Sequence, residues 1–536
     1  MKPFPEATQG RPATSWVPPI LRPRFTWRYV ACTLAIGYVL YSFAASRHLL
    51  AHPLPQYSGP HAVGAIDIEA SAASPRLVDP ARFKATNENA FELRTVLFTL
   101  YYPASKGEHV IKHHHDWIPK PVSVTAAGYA KFAHIGNFFT NALFTGAIKL
   151  LVGNIKIPAG VDLPLLADKG VASDSSSSAS SESSGILPGD SDEAEKILLE
   201  RTGHSTREGY PVIVFSHGMA SSRTDYTHYA GELASRGYVV AMLEHRDGSS
   251  PGSIIQEAGR ADETRLTFRM SEVESAEGHD LKEEDFKRAQ LDFRQAEIEE
   301  AVRVLQRING GDGADVFAAN SRREGANLHD WAGRLDTKGM IVAGHSYGAT
   351  GAMQALKGGP SEQRPFRGAI ILDPGKQSGR LNDEIDVPVL VVHSNSWSKK
   401  RSMFYGRAHF DVVRDIVAGN NDRGHASWFM TSLGTSHPSV TDAPLLEPFL
   451  LSVTTGAEID VYEALRQYVH VSVDFLGFLA DGEKRNLLAE PAEFPEYEKS
   501  RGFGKWKPGQ GDDDSKQKGG EWADWRKYWQ LHVSAA

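Results

Sequence analysis

Short apolar runs alternate with helix-length polar or amphipathic stretches from about residue 210 onward in this 536-residue chain. PVIVFS at 211–216 and YVVAML at 238–243 predict two strands, separated by a helix-length stretch that ends in Arg236-Gly237. GMIVA at 339–343, GAIIL at 368–372 and VPVLVVH at 387–393 predict three more, and a helix is expected after the first of them, through about residue 357. Strands alternating with helices in this way make βαβ units and a mostly parallel, twisted sheet with helices on both faces. Upstream, LRTVLFTLYYPA at 93–104 reads as another strand, because β-branched and aromatic residues run up to a proline.

Three stretches break this rhythm. The segment 129–158 is apolar, aromatic and helical in period, which fits a core packing helix or a lipid-facing lid, a choice that exposure decides. Within 256–307, Phe286, Leu291, Phe293, Ile298, Val302 and Leu305 fall near helical spacing among many charges, the pattern of a surface helix. Residues 168–208 are rich in Ser, Gly and charge and poor in large apolar groups, so they are expected to form a flexible insertion.

The two ends differ from the 60–490 body. After a tail at 1–28, the uncharged run 29–45 would span about 26 Å as a helix, which fits a single membrane anchor, with a signal or transit peptide or a buried helix as alternatives. Arg22, Arg24 and Arg28 before it and Arg47 after it favour a cytosolic N-terminus with the body across the membrane. The polar tail 500–536 places Trp522, Trp525, Tyr528 and Trp529 on one face of an expected helix.

Composition narrows the chemistry. A net charge of −8 with no long basic block excludes a nucleic-acid footprint. The single cysteine, Cys32, lies in the apolar run, so no disulfide within the chain, cysteine nucleophile in the body or thiolate metal site is available.

Gly-x-Ser-x-Gly occurs twice. In Gly248-Ser249-Ser250-Pro251-Gly252 the residue after the serine is a proline without an N–H, so this copy cannot serve as a nucleophile elbow and reads as a turn. In Gly344-His345-Ser346-Tyr347-Gly348 a strand feeds a tight turn and a helix follows, the context that an α/β-hydrolase nucleophile needs. An oxyanion hole needs a second N–H donor from a loop after an early strand, and Ser216-His217-Gly218-Met219 follows PVIVFS. Met219 and Tyr347 are therefore the expected donors; His217 is expected to brace the loop and His345 to point away from the pocket. The acid must follow the nucleophile at the end of a later strand. GAIIL runs into Asp373, VPVLVVH ends without a carboxylate, and Asp383 and Asp386 lie at the wrong end of a strand. For the base, His437 in a Gly/Ser/Thr/Pro loop is preferred to His425.

With these residues placed, the chain resembles the platelet-activating factor acetylhydrolase family, calcium-independent phospholipases A2 of the α/β-hydrolase fold. The resemblance runs over about residues 90–480, through WIP at 117–119, FSHGM, LASRGYVVAMLEHRDGS, GHSYGA, GAIILD and GTSH. It implies Ser346, Asp373 and His437 as a triad, Met219 and Tyr347 as oxyanion donors, no cofactor or metal, and a phospholipid substrate whose sn-2 acetyl or short acyl ester is cleaved at a membrane surface. Tyr347 and Ala349, where Phe and Gly are usual, and Pro374-Gly375 after the acid depart from the family pattern near the acyl pocket. Another lipid or a polyester as substrate, and a catalytically silent membrane-tethered binding module, are the competing readings.

Overall fold

The computed structural model describes residues 26–44, 51–105, 113–167, 209–448, 454–498 and 526–535. The expected insertion at 168–208 lies outside them, as do Trp522 and Trp525. The chain divides into two units, Met1–Ala51 and His52–Ala536.

Among the described residues of the first unit is the helix Trp27–Ala44, with Leu34, Ile36, Leu40 and Tyr41 exposed. The membrane anchor expected at 29–45 finds no support: no helix among the described residues is long and apolar enough to cross a membrane. The helix is only 18 residues long, and Arg28, Gly37, Ser42 and three tyrosines dilute its apolar content.

In the second unit the strands are β1 (Ala62–Phe83), β2 (Asn89–Ala104), β3 (Gly160–Val161), β4 (Tyr210–Ser216), β5 (Val239–Glu244), β6 (Gly252–Ile255), β7 (Glu263–Leu266), β8 (Val273–Glu274), β9 (Leu335–His345), β10 (Phe366–Leu372), β11 (Val389–Ser394), β12 (Ser427–Ser432) and β13 (Trp529–Val533). Eleven of them form one sheet in the order β13-β12-β11-β10-β9-β4-β5-β2-β1-β3, with β8 on β1. The stretch from β12 to β5 is parallel throughout, and antiparallel strands flank it at β13 and β2. The parallel strands are buried end to end at Ile213, Val214, Ile341, Val342, Ile370 and Ile371, each side chain contributing about 1.5–3 kcal/mol through burial. A charge at any of these positions would break the sheet.

All five predicted strands of the parallel region are present, but β1, β12 and β13 are not legible in the sequence. The inward side of β1 includes Asp67 and Glu69, which hides its alternation. In the tail, Trp529–Val533 is a strand rather than part of the expected aromatic helix: it completes the sheet edge beside β12, with Trp529 and Leu531 buried.

The apolar segment 129–158 falls on two helices. Val122–Phe132 packs through Val122, Ala126 and Ala130. The second, Phe138–Leu151, starts where the Asn137 side chain accepts a hydrogen bond from the Thr140 N–H, and it buries none of its residues. Phe138, Phe139, Leu143 and Leu150 are exposed, so the core reading fails for this helix. The charged stretch becomes the helix Glu283–Arg307, which buries its apolar face as expected but also buries Gln290, Arg294 and Glu297.

Candidate active site

Parallel strands bring their carboxyl ends to one rim, and the loops leaving β4, β9, β10, β11 and β12 meet there. At the end of β9, Ser346 has φ 56° and ψ −117°, a sparsely populated conformation that costs about 1–3 kcal/mol and is held by its surroundings. Its N–H donates to the Leu372 carbonyl at 2.9 Å. The flanking glycines are demanded by space: a Cβ on Gly344 would lie 2.3 Å from the Gly348 carbonyl oxygen, and one on Gly348 would lie 1.9 Å from that of Ser216. The turn thus lifts the hydroxyl over the start of the helix Tyr347–Ala355.

The structure brings Ser346, His437 and Asp373 together although they are far apart in sequence. His437 Nε2 lies 3.0 Å from Ser346 Oγ, and His437 Nδ1 lies 2.8 Å from Asp373 Oδ2. The carboxylate can only accept, so Nδ1 carries the proton and Nε2 is free to accept one from the serine. Asp373 is buried; the Ser394 N–H donates to its Oδ1 at 2.6 Å and the Ser394 hydroxyl to its Oδ2 at 2.7 Å. Ser396 Oγ accepts from the His437 N–H at 3.0 Å, and the Trp397 indole stacks on the imidazole at 3.9 Å and 7°. The segment Ser394–Trp397 has no carboxylate, which is why sequence reading passes over it, yet it holds both Asp373 and His437.

The Gly218-Met219 loop lies against the serine, since a Cβ on Gly218 would approach Ser346 Cβ to 3.2 Å. The Gly218 N–H is engaged by the Tyr226 hydroxyl at 3.1 Å, and the next N–H, of Met219, donates to no other group among the described residues. The Tyr347 N–H opens its helix and has no partner within that helix, while the Tyr347 side chain is anchored away from the rim by Gln290 at 2.7 Å and by Arg294 over its ring. His217 braces the loop as expected: its Nε2 accepts from the His245 N–H and its Nδ1 donates to the Gly218 carbonyl. His345 points away from the open rim, its Nδ1 bonded to the Tyr226 hydroxyl at 2.8 Å. Its ring lies 4.5 Å from that of His437 beneath the site, and burial first, then the neighbouring His437, hold it neutral with a pKa near 3.

Below the elbow a buried polar network fills the space between β4, β5 and the helix Glu283–Arg307. His245 bridges Ser216 Oγ at 2.7 Å and Glu297 at 2.6 Å, while Arg294 pairs with Asp247 at 2.8 Å and donates to the His217 carbonyl. Glu244 and Arg246 in turn pair with Arg223 and Glu69. Every member of Glu244-His245-Arg246-Asp247 therefore has a buried partner, which accounts for so many charges in an otherwise apolar run. Ser216, His245 and Glu297 are closed off from substrate.

The remaining candidates fall elsewhere. Ser250 is a buried turn residue whose hydroxyl donates to the His245 carbonyl at 2.5 Å. His425 lies 4.0 Å from Asp386 rather than beside Asp373. Ligand atoms of His345, Asp373 and His437, and of Asp67, His115 and Glu324, lie close enough to surround a metal ion. Most of those atoms are already committed, His437 to Asp373 and Ser346, His115 to Glu324, and Asp67 to Arg223, while His345 Nε2 has no hydrogen-bond partner among the described residues.

Residues 197–487 match the family described as platelet-activating factor acetylhydrolase, isoform II. The chain is 26% identical over 362 residues to the platelet-activating factor acetylhydrolase of Cavia porcellus, covering 66% of this chain and 64% of that protein. It is 28% identical over 303 residues to a putative phospholipase A2 of Schizosaccharomyces pombe, covering 50% of this chain and 67% of that one. The acetylhydrolase of Gallus gallus matches at 26% identity over 50% of this chain and 62% of its own length. The chain thus spans about two thirds or less of the length of these relatives. Because the family match covers more than half of the sequence, the chain belongs to the platelet-activating factor acetylhydrolase, isoform II, family.

Proposed function

We propose that this protein is a serine esterase of the α/β-hydrolase fold that cleaves the sn-2 acetyl or short acyl ester of glycerophospholipids related to platelet-activating factor. The observation that carries the proposal is the continuous hydrogen-bonded line from Ser346 through His437 to Asp373, set on a strained strand-to-helix turn. Its family membership supports an ester of this class.

In this reading His437 Nε2 removes the Ser346 proton as Oγ attacks the ester carbonyl, and Asp373 stabilises the imidazolium that forms. The oxyanion is received by the N–H groups of Met219 and Tyr347, each worth about 3 kcal/mol in such sites. Collapse of the tetrahedral intermediate expels the lysophospholipid alkoxide, which takes its proton from His437. Water, activated by the same imidazole, then releases the acyl group and restores the serine hydroxyl. No step calls for a metal or cofactor. The exposed Phe138, Phe139, Leu143 and Leu150 support work at a lipid surface.

The test is lipid mass spectrometry after incubation of 1-alkyl-2-acetylglycerophosphocholine with the wild type and with Ser346→Ala. Loss of the sn-2 acetyl group in the first sample alone is the expected result. An intact lipid with a wild type whose Ser346 still reacts with a fluorophosphonate probe would reject this substrate and keep the esterase.

A further inference from the structure

Beyond the reacting groups, the rim presents cations with no acid beside them. Lys376 follows Asp373-Pro374-Gly375 at the end of β10, and its ammonium lies over the Trp397 ring, 4.8 Å from the centroid. The imidazole of His437 stacks on the same indole at 3.9 Å, so the Trp397 ring contacts both the imidazole and the Lys376 ammonium. The indole is fixed in turn, since its Nε1 donates to the Pro374 carbonyl at 2.9 Å.

Lys400 is the second cation. The two backbones are tied into the same rim, with the Lys376 carbonyl accepting from the Met403 N–H at 3.1 Å and the Lys400 carbonyl from the His409 N–H at 2.9 Å. No carboxylate pairs with Lys376, Lys399 or Lys400 among the described residues, whereas most arginines of the body sit in ion pairs. Burial and the nearby Lys400 charge both lower the Lys376 pKa, as befits an ammonium facing a like charge without an anion.

We infer that Lys376, backed by Trp397 and assisted by Lys400, receives the phosphate of the substrate head group while the sn-2 ester lies over Ser346. This rests on the phospholipid reading above and adds a determinant that serine catalysis does not need. A phosphodiester one glycerol carbon from the ester-bearing carbon is the anion that such a substrate brings to the rim. A lysine acts here as a point charge, leaving the head group beyond the phosphate unrecognised.

The experiment compares kcat/KM for a soluble short-acyl phosphatidylcholine and for a neutral p-nitrophenyl ester of the same acyl group, using the full chain and its Lys376→Met, Lys376→Arg and Lys400→Met variants. Lys376→Met is expected to lower the ratio of the two at least tenfold, chiefly through KM for the phospholipid. Lys376→Arg should restore most of it, and Lys400→Met should give a smaller drop. An unchanged ratio for Lys376→Met, including equal losses on both esters, would overturn the inference. A second measurement needs no turnover of phospholipid: glycerophosphocholine should inhibit p-nitrophenyl ester hydrolysis by the wild type at least tenfold better than by Lys376→Met. Inhibition by inorganic phosphate alone, with glycerophosphocholine inert, would assign the pair to a free anion and also overturn it. A wild type that cleaves only the neutral ester would refute the phospholipid reading, and the inhibition result would still decide Lys376.

Discussion

Ser394 clamps Asp373 twice, its N–H donating to one carboxylate oxygen at 2.6 Å and its hydroxyl to the other at 2.7 Å. The hydroxyl shares Oδ2 with the His437 ring, so it sets the direction from which the carboxylate meets the imidazole. Replacing Ser394 by Ala leaves a buried, charged acceptor short of one donor, at a cost of about 1–3 kcal/mol in stability. Steady-state kinetics with a p-nitrophenyl ester should show kcat down about tenfold, equivalent to about 1.4 kcal/mol of barrier. Unchanged kcat and melting temperature would mean that the clamp is idle.

The two candidate histidines make opposite predictions. His437→Ala should lower kcat by about 10⁴-fold or more, since removing the base from such a set removes most of its chemistry. His425→Ala should stay within about twofold of the wild type, because its ring pairs weakly with Asp386 at the far end of a strand. The reverse ranking in the same assay would move the base to His425.

Trp397 holds the catalytic ring by contact alone. Trp397→Leu removes the flat surface at 3.9 Å and the indole N–H bonded to the Pro374 carbonyl, letting the imidazole turn out of line; kcat should drop about tenfold, with a lower melting temperature from the cavity left behind. Trp397→Phe, which keeps an aromatic face, should recover most of that loss. Equal activity in both variants would show that stacking is irrelevant to the ring's position.

Acid should loosen the fold well above the carboxylate range. Burial pushes His217, His228, His470 and His532 down to about 4 and His345 down to about 3. These groups are neutral when folded but take up protons when unfolded below about 6.5, so their contribution is intact above that pH and is lost as the pH falls toward 4. Burial raises Asp225 to about 7 and Asp442 to about 6, which has the opposite sign, since folded carboxyls then hold protons that the unfolded chain has released. Five histidines outweigh two aspartates, so the urea midpoint should decline steadily from pH 7 to pH 4.5. A flat or rising midpoint would contradict this balance.

Reading the sequence singled out Ser346, Asp373 and His437 as candidate nucleophile, acid and base, which the structure brings within hydrogen-bonding distance, because each sits where local chain geometry announces it. Ser346 lies between two glycines after an apolar strand, Asp373 ends another, and His437 occupies a loop of small residues. The partners that hold them were not legible in the same way. Ser394 ends β11 and Ser396 and Trp397 follow it in a stretch with no ionisable group, and Arg294 and Glu297 lie on a helix whose other charges are more exposed. Identical residue types in one helix thus separate into buried and exposed only when a sheet covers one face.

The alternation of apolar runs and the Gly-x-Ser-x-Gly turn were enough to determine a mostly parallel α/β sheet and the strand-to-helix turn that carries Ser346, since both depend on contacts among near neighbours in the chain. Tertiary structure alone decided that WQLHV closes the sheet edge beside β12, that Phe138–Leu151 faces outward, and that Trp397 meets both His437 and Lys376. Those outcomes depend on residues tens to hundreds of positions apart. Burial and stacking are properties of what the fold places opposite a side chain, and periodicity within one segment carries no record of its partner.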